Sequence, residues 1–249
     1  MVCTAAAIDE LLAWGAEMLV VKGDLAHGNR RSEYELAGEL LGGLPIPTMV
    51  LPGNHDGGNI HRHDAAATLA AHGLCLVQDV TVVDRPGVRI IGVDTRTSTQ
   101  AGTVEAHTRA VADAAAGTPG GVIVMLHHQL TTAPVTTYPP PGVPAAEARR
   151  FLDEVAAAQP RTIVTSGHTH RHRARRHGPV LVTEVGSPKD YPGTWAGYLV
   201  YEGGIVQTVR RVMAPEAIRW TQRTARMGAG AWGRWSPGRL DDRCVVLGY

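Results

Sequence analysis

The chain has 249 residues, of which 44% are hydrophobic and 19% charged, with a formal net charge of +1. That length suits one large domain, or one domain and a tail, and the composition argues against extended disorder. A balance so near neutrality supplies no global field to draw nucleic acid or an anionic membrane onto the surface.

From the N-terminus, residues 4–14 place Ile8, Leu11 and Leu12 on one face and predict an amphipathic helix ending near Gly15. Residues 18–21 are a short apolar run, a buried strand that passes into Gly23-Asp24. Residues 32–41 are helical again, with Ser32 as N-cap and Glu35 at the capping-box spacing. A strand over 48–51 runs into Pro52-Gly53-Asn54-His55-Asp56, and 64–71 is a helix. Strand signals follow at 74–77, 80–83 and 88–93, then a helix at 104–116. A strand over 121–126 ends in His127-His128, and the proline-rich stretch 131–144 is a loop. After a helix at 145–158, the strand 162–165 leads into Gly167-His168-Thr169-His170. Strands at 180–185, 195–201 and 205–212 complete the set. Strands alternating with helices, then strands in succession, predict an α/β sandwich with sheet inside and helices outside.

Cys3, Cys75 and Cys244 are widely spaced and form no Cys-x-x-Cys pair, so a disulfide framework or zinc–thiolate site is not expected. A reducing, cytoplasmic setting is the expectation. No apolar run approaches the roughly 20 residues of a membrane-spanning helix, and the start has no basic segment leading into an apolar core.

One feature recurs four times: a short apolar strand ends and Gly, Asp, Asn or His follows at once. Ligands of open α/β sheets sit at the carboxyl ends of strands, so four such clusters can converge. Asp24 can bridge two cations with its two oxygens, and Asn54 supplies a neutral oxygen. His168 and His170 project to one side if their backbone is extended, and each then reaches its own metal. This oxygen and imidazole set, without thiolate, suits Mn, Fe, Zn or Co better than Ca or Cu(I). His61, His63, His72, His107 and His177 belong to no such cluster and are read as ordinary histidines. His27, Asn29, Arg171 and His172 flank the clusters and are weaker candidates for substrate contact.

These motifs resemble the calcineurin-like metallophosphoesterase superfamily, whose signature runs D-x-H, G-D, G-N-H-D/E, H, G-H-x-H. All but the first stand here in order, and the resemblance spans residues 11–212. It implies a four-layer α/β/β/α sandwich with mixed sheets and a pair of divalent metal ions. One would be held by Asp24, Asn54, His127 and His168, the other by Asp24, His170 and the Asp and His of D-x-H. His127 is preferred to His128 because the family segment reads H-x-P with the first His as ligand, although Gln129 stands where that Pro would be. His55 would stabilise charge on the phosphoryl group and protonate the leaving group, with Asp56 orienting it. The nearest branch is the bacterial class III cyclic-nucleotide phosphodiesterases, so hydrolysis of a small phosphodiester is the expected activity.

No Asp is followed two residues later by His anywhere in the chain. The family's first strand should precede the first helix, so the resemblance leads to the expectation of a truncated start, with the second metal site incomplete. Three alternatives stay open: a non-catalytic scaffold of the same fold, a phosphomonoesterase, and a nuclease. Residues 1–213 are expected to form the phosphoesterase domain and 214–249 an Arg- and Trp-containing extension. That extension is expected to pack back on the domain or on a second subunit of a homodimer. Interleaved Arg and Trp can also mark nucleic-acid stacking, but Asp241-Asp242 dilute the charge, so the small phosphate ester is the expected partner.

Overall fold

The computed structural model describes residues 1–57, 63–131 and 140–249. In chain order the elements are α1 (Val2–Ala13), β1 (Leu19–Lys22), α2 (Arg31–Leu41), β2 (Thr48–Leu51), α3 (Ala65–Ala71), β3 (Cys75–Leu76), β4 (Val80–Arg85) and β5 (Val88–Val93). Then come α4 (Thr108–Ala115), β6 (Gly121–Met125), α5 (Ala145–Ala158), β7 (Thr162–Ser166), β8 (Arg173–His177), β9 (Val180–Glu184), β10 (Thr194–Tyr201) and β11 (Gly204–Arg211). The chain closes with α6 (Pro215–Thr224), α7 (Ala231–Trp235) and β12 (Val245–Gly248).

A six-stranded sheet runs β4-β5-β6-β7-β9-β8, parallel from β5 through β9 and antiparallel at both edges. Two three-stranded sheets accompany it, the parallel β1-β2-β3 and the antiparallel β10-β11-β12. Because side chains alternate along a strand, each strand of the large sheet feeds two cores. Val122 and Val124 of β6 join Val111, Phe151 and Val155 beneath α4 and α5. Ile123 and Met125 turn the other way, toward Met49 and Leu51 of β2 and Ile205 and Leu247 of β11 and β12. On the far side of β2, Val50 packs with Ile8, Tyr34 and Leu69 of α1, α2 and α3. The result is the expected order of helices, sheet, sheets, helices.

Several elements depart from the sequence reading. Ser32 does not cap α2: the helix starts at Arg31 with Arg30 as N-cap. The Glu33 carboxylate accepts the N–H groups of His27, Gly28 and Arg30, satisfying donors that a serine cap would have met one at a time. Strand β8 carries Arg-Ala-Arg-Arg-His and lies at a sheet edge, so it has no apolar alternation to reveal it. The segment after residue 214 forms two helices and a strand: α6 packs on α1, and β12 completes a sheet beside β11. Strand β1 pairs with β2 alone among the described residues. The central part of the proline-rich loop, 132–139, and His61 lie outside the described residues. All three cysteines are free, and no helix among the described residues is long and apolar enough to cross a membrane.

Candidate metal centre

Four strand ends supply the site. Asp24 follows β1, Asn54 to Asp56 follow β2, His127 and His128 follow β6, and His168 and His170 follow β7. The strands pair in parallel, β1 with β2 and β6 with β7, so their carboxyl ends lie side by side. Gly53 lets two of the loops touch. A Cβ there would overlap the Asp24 carboxylate and stand 2.7 Å from the His127 ring.

The heart of the site is a set of acceptors. His127 Nδ1 lies 2.6 Å from the Lys22 carbonyl oxygen, which can only accept, so Nδ1 carries the proton. By the same logic His168 Nε2, 3.2 Å from the Pro141 carbonyl, is the protonated nitrogen of that ring. Burial holds the His127 pKa below its ordinary value, and burial together with His127 brings His168 down to about 4, so both rings are neutral at neutral pH. Each ring therefore turns a bare lone pair inward, and His127 Nε2 and His168 Nδ1 are 3.1 Å apart. Asn54 Oδ1 stands 3.0 Å and Asp24 Oδ1 3.4 Å from the same His127 nitrogen. The Asn54 amide is oriented by Gln100, whose Oε1 accepts from Asn54 Nδ2 at 2.6 Å. The His55 backbone N–H donates to Asp24 Oδ1 at 3.1 Å and steadies that carboxylate.

Four acceptors with no proton among them repel one another, and a cation fits such a set. Ligands about 2.1 Å from one cation stand about 3.0 Å apart at right angles and about 3.4 Å apart at tetrahedral corners. The observed spacings fall in that range. His128 adds a third imidazole, since the ligand nitrogens of His127, His128 and His168 all lie within 4.8 Å of one another. Its Nδ1 is 2.7 Å from Thr95 Oγ1, while Nε2 is buried with no partner among the described residues. Burial, then His127 and His168, press its pKa down to about 2. The structure thus places both members of the His127-His128 pair at the cluster, with His127 the one in reach of Asp24 and Asn54.

The remaining candidates stand apart from that set. His55 stacks on His27 with ring centroids 5.2 Å apart, and its Nδ1–H donates to the His27 carbonyl at 2.9 Å. That carbonyl, not Asp56, orients the His55 ring. The buried Asp56 carboxylate instead accepts N–H bonds from Gly53 at 2.8 Å, Ala26 at 3.0 Å and Leu25 at 3.3 Å, and the Tyr34 hydroxyl at 3.3 Å. It ties the Gly23-Asp24 loop to the Gly53-Asn54 loop, and burial outweighs these donors to raise its pKa.

The Gly-His-Thr-His segment is a turn, which corrects the extended backbone expected for it. His168 and His170 have φ of 62° and 51°, and Asp24 has φ of 57°. Left-handed backbone costs an L-residue about 1–2 kcal/mol, so three of the five expected ligands sit in conformations their sequence does not favour. The two histidine rings have different partners: His168 Nδ1 faces His127, while His170 Nδ1 lies 2.6 Å from Asp190 Oδ2. Burial raises the Asp190 carboxyl, but its bond and charge contact with His170 outweigh that and hold it below the usual range. Arg171 pairs with Glu184, and His172 bonds Gly186 and Thr194, so both serve the frame. Sequence reasoning missed Lys22, Thr95, Gln100 and Asp190. None stands in a motif, and each is brought in by a loop or strand end distant in the chain.

Fold and donor set together define a metal-binding α/β/β/α sandwich. A sequence model described as calcineurin-like phosphoesterase matches residues 4–172. Among solved structures, the TT1561 protein of Thermus thermophilus is similar with a TM-score of 0.56 at 14% identity, over 85% of this chain and 93% of that one. GAP50, the anchor in the inner membrane complex of Plasmodium, has a TM-score of 0.55 at 10% identity, over 87% of this chain and 81% of that one. At these identities the likeness shows the fold. No curated protein matches. The chain belongs to the calcineurin-like phosphoesterase family. It is a metallophosphoesterase, a metal-dependent hydrolase of phosphate esters.

Proposed function

We propose that the substrate is a small phosphodiester, with cyclic nucleotides the leading class. Asp24, Asn54, His127 and His168 would hold one ion, and Asp24 and His170 would contribute to a second, less complete site, with Mn, Fe, Zn or Co as the candidate metals. When bound, the metals supply positive charge to the phosphoryl oxygens and depress the pKa of water to about 7. The observation that carries the reading is the convergence of unprotonated His127 Nε2 and His168 Nδ1 with Asn54 Oδ1 and Asp24 Oδ1. His55 acts on the phosphoryl group through Nε2, because Nδ1–H is committed to the His27 carbonyl. There the imidazolium form, with a second proton on Nε2, would stabilise developing charge and deliver that Nε2 proton to the leaving oxygen, leaving the neutral Nδ1–H ring, a contribution of about 10²–10⁴ in rate. Asp56 supports the reaction by fixing the two loops that carry Asp24 and Asn54. We assign the phosphoesterase unit to residues 1–213 and treat 214–249 as an extension that packs against it. The free cysteines fit a reducing, cytoplasmic setting.

The test is a hydrolysis panel on Mn-loaded protein, comparing a cyclic nucleotide, bis-p-nitrophenyl phosphate and p-nitrophenyl phosphate. Turnover of the two diesters above the monoester supports the reading. Turnover of the monoester alone refutes it. Mn binding without turnover of any of the three refutes it as well.

A further inference from the structure

His170 and Asp190 are 20 residues apart in the chain, and no motif joins them. His170 Nδ1 lies 2.6 Å from Asp190 Oδ2, with the two side chains 21% and 20% exposed. A carboxylate accepts only, so Nδ1 is the protonated nitrogen and Nε2 is the ring atom left to reach a ligand position. The loop that carries Asp190 is held from the C-terminal segment on both sides. Tyr191 N–H donates to Thr224 Oγ1 of α6 at 2.7 Å, and Trp220 Nε1–H of α6 donates to the Lys189 carbonyl at 2.9 Å. Gly193, at φ 73°, lies so close to α6 that a Cβ would meet Thr221 Cγ2 at 2.7 Å. From α7, Trp232 sets its ring at 79° to the His170 ring with centroids 6.4 Å apart. The turn that carries His170 is fixed independently, because the Thr169 hydroxyl donates to the buried Glu184 at 2.9 Å.

We propose that Asp190 is a positioning residue for His170, and that α6 and α7 form the clamp that holds the pair, so that Nε2 is presented bare and in a fixed direction to the metal centre. The proposal rests on the reading of His170 as a ligand. A histidine ligand needs one nitrogen unprotonated and aimed. A carboxylate on the other nitrogen selects that tautomer, limits ring rotation and raises basicity, and loss of such a partner costs about 10–100-fold in metal affinity. In this arrangement the segment after residue 214 is part of the site's frame, because both neighbours of Asp190 are tied to it.

The test uses the full chain labelled with ¹⁵N-histidine, free of metal and at alkaline pH. Long-range ¹H–¹⁵N spectra report the tautomer of each ring, and Mn²⁺ affinity is measured by titration calorimetry. Wild-type His170 is expected as the Nδ1–H form. Asp190→Ala should shift it toward Nε2–H and weaken Mn²⁺ binding about 10–100-fold. Asp190→Asn retains an acceptor oxygen and should restore the Nδ1–H form and most of the affinity. Thr224→Val removes the acceptor for Tyr191 N–H at nearly constant volume, and should weaken Mn²⁺ binding less than Asp190→Ala does. A wild-type Nε2–H tautomer overturns the proposal, whatever the variants do. So does an Asp190→Ala protein with wild-type tautomer and affinity, or one whose melting temperature falls while the tautomer stays. Hydrolysis is not among the readouts, so the outcome stands apart from the substrate assignment.

Discussion

Asp56→Ala separates two roles for the second carboxylate of the Gly53-Asn54-His55-Asp56 motif. The side chain is 2% exposed, and its oxygens accept N–H bonds from Gly53, Ala26 and Leu25 as well as the Tyr34 hydroxyl. Truncation leaves the Gly53 and Ala26 donors buried and unmet, at about 1–3 kcal/mol each. Leu25 is half-buried and water can replace its partner, and Tyr34 keeps its 2.6 Å bond to Asn29. Removing a buried carboxylate also relieves a desolvation cost, so the net loss is about 2–5 kcal/mol against a total stability of about 5–15 kcal/mol. At about 2–4 °C per kcal/mol for a chain of this size, the melting temperature should fall by about 4–20 °C. Guanidinium unfolding followed by tryptophan fluorescence should show a lower midpoint with an unchanged slope. Asp56→Asn, which keeps one acceptor oxygen, should fall between wild type and alanine. A wild-type midpoint combined with a hundredfold loss of turnover would refute this account, and would place the carboxylate on the substrate or on His55.

The other expectations concern His55, the ligand His168 and the Gly53 contact. His55→Ala should keep the bound metal, measured by elemental analysis after Mn loading, while turnover falls about 10²–10⁴-fold; a collapse of metal content would show that His55 is a ligand. His168→Ala removes one inward lone pair and leaves its partner acceptors facing open space, so Mn²⁺ affinity should fall at least about tenfold with little change in melting temperature. An unchanged affinity would remove His168 from the ligand set. Gly53→Ala places a Cβ against the Asp24 carboxylate and 2.6 Å from the Asp24 nitrogen, so the loops must separate. Metal affinity and stability should fall together, and a fully active, fully stable variant would show that the two loops are not in contact.

The strands that build the inner layers were legible because local sequence decides them. Short apolar runs such as 121–126 and 162–165 have no solvent-facing alternation and read as buried strands, and β6 and β7 are buried along their whole length. The four polar clusters were legible for a related reason: Gly, Asn, Asp and His directly after an apolar run mark a strand end at which ligands gather. What failed was whatever depends on a partner far along the chain. The edge strand β8 carries three arginines in five residues and is held in place by pairing with β9. The role given to Asp56 followed from its place beside His55, yet its four donors come from Gly53, Leu25, Ala26 and Tyr34, three of them 22 to 31 residues away. By itself the sequence determined the family, the order of strand and helix from α1 through β7, and which side chains could offer oxygen or imidazole nitrogen. Only the tertiary structure decided which nitrogen of each imidazole is bare, because that depends on the carbonyls of Lys22 and Pro141 and the carboxylate of Asp190, each placed opposite its ring by the packing of distant segments.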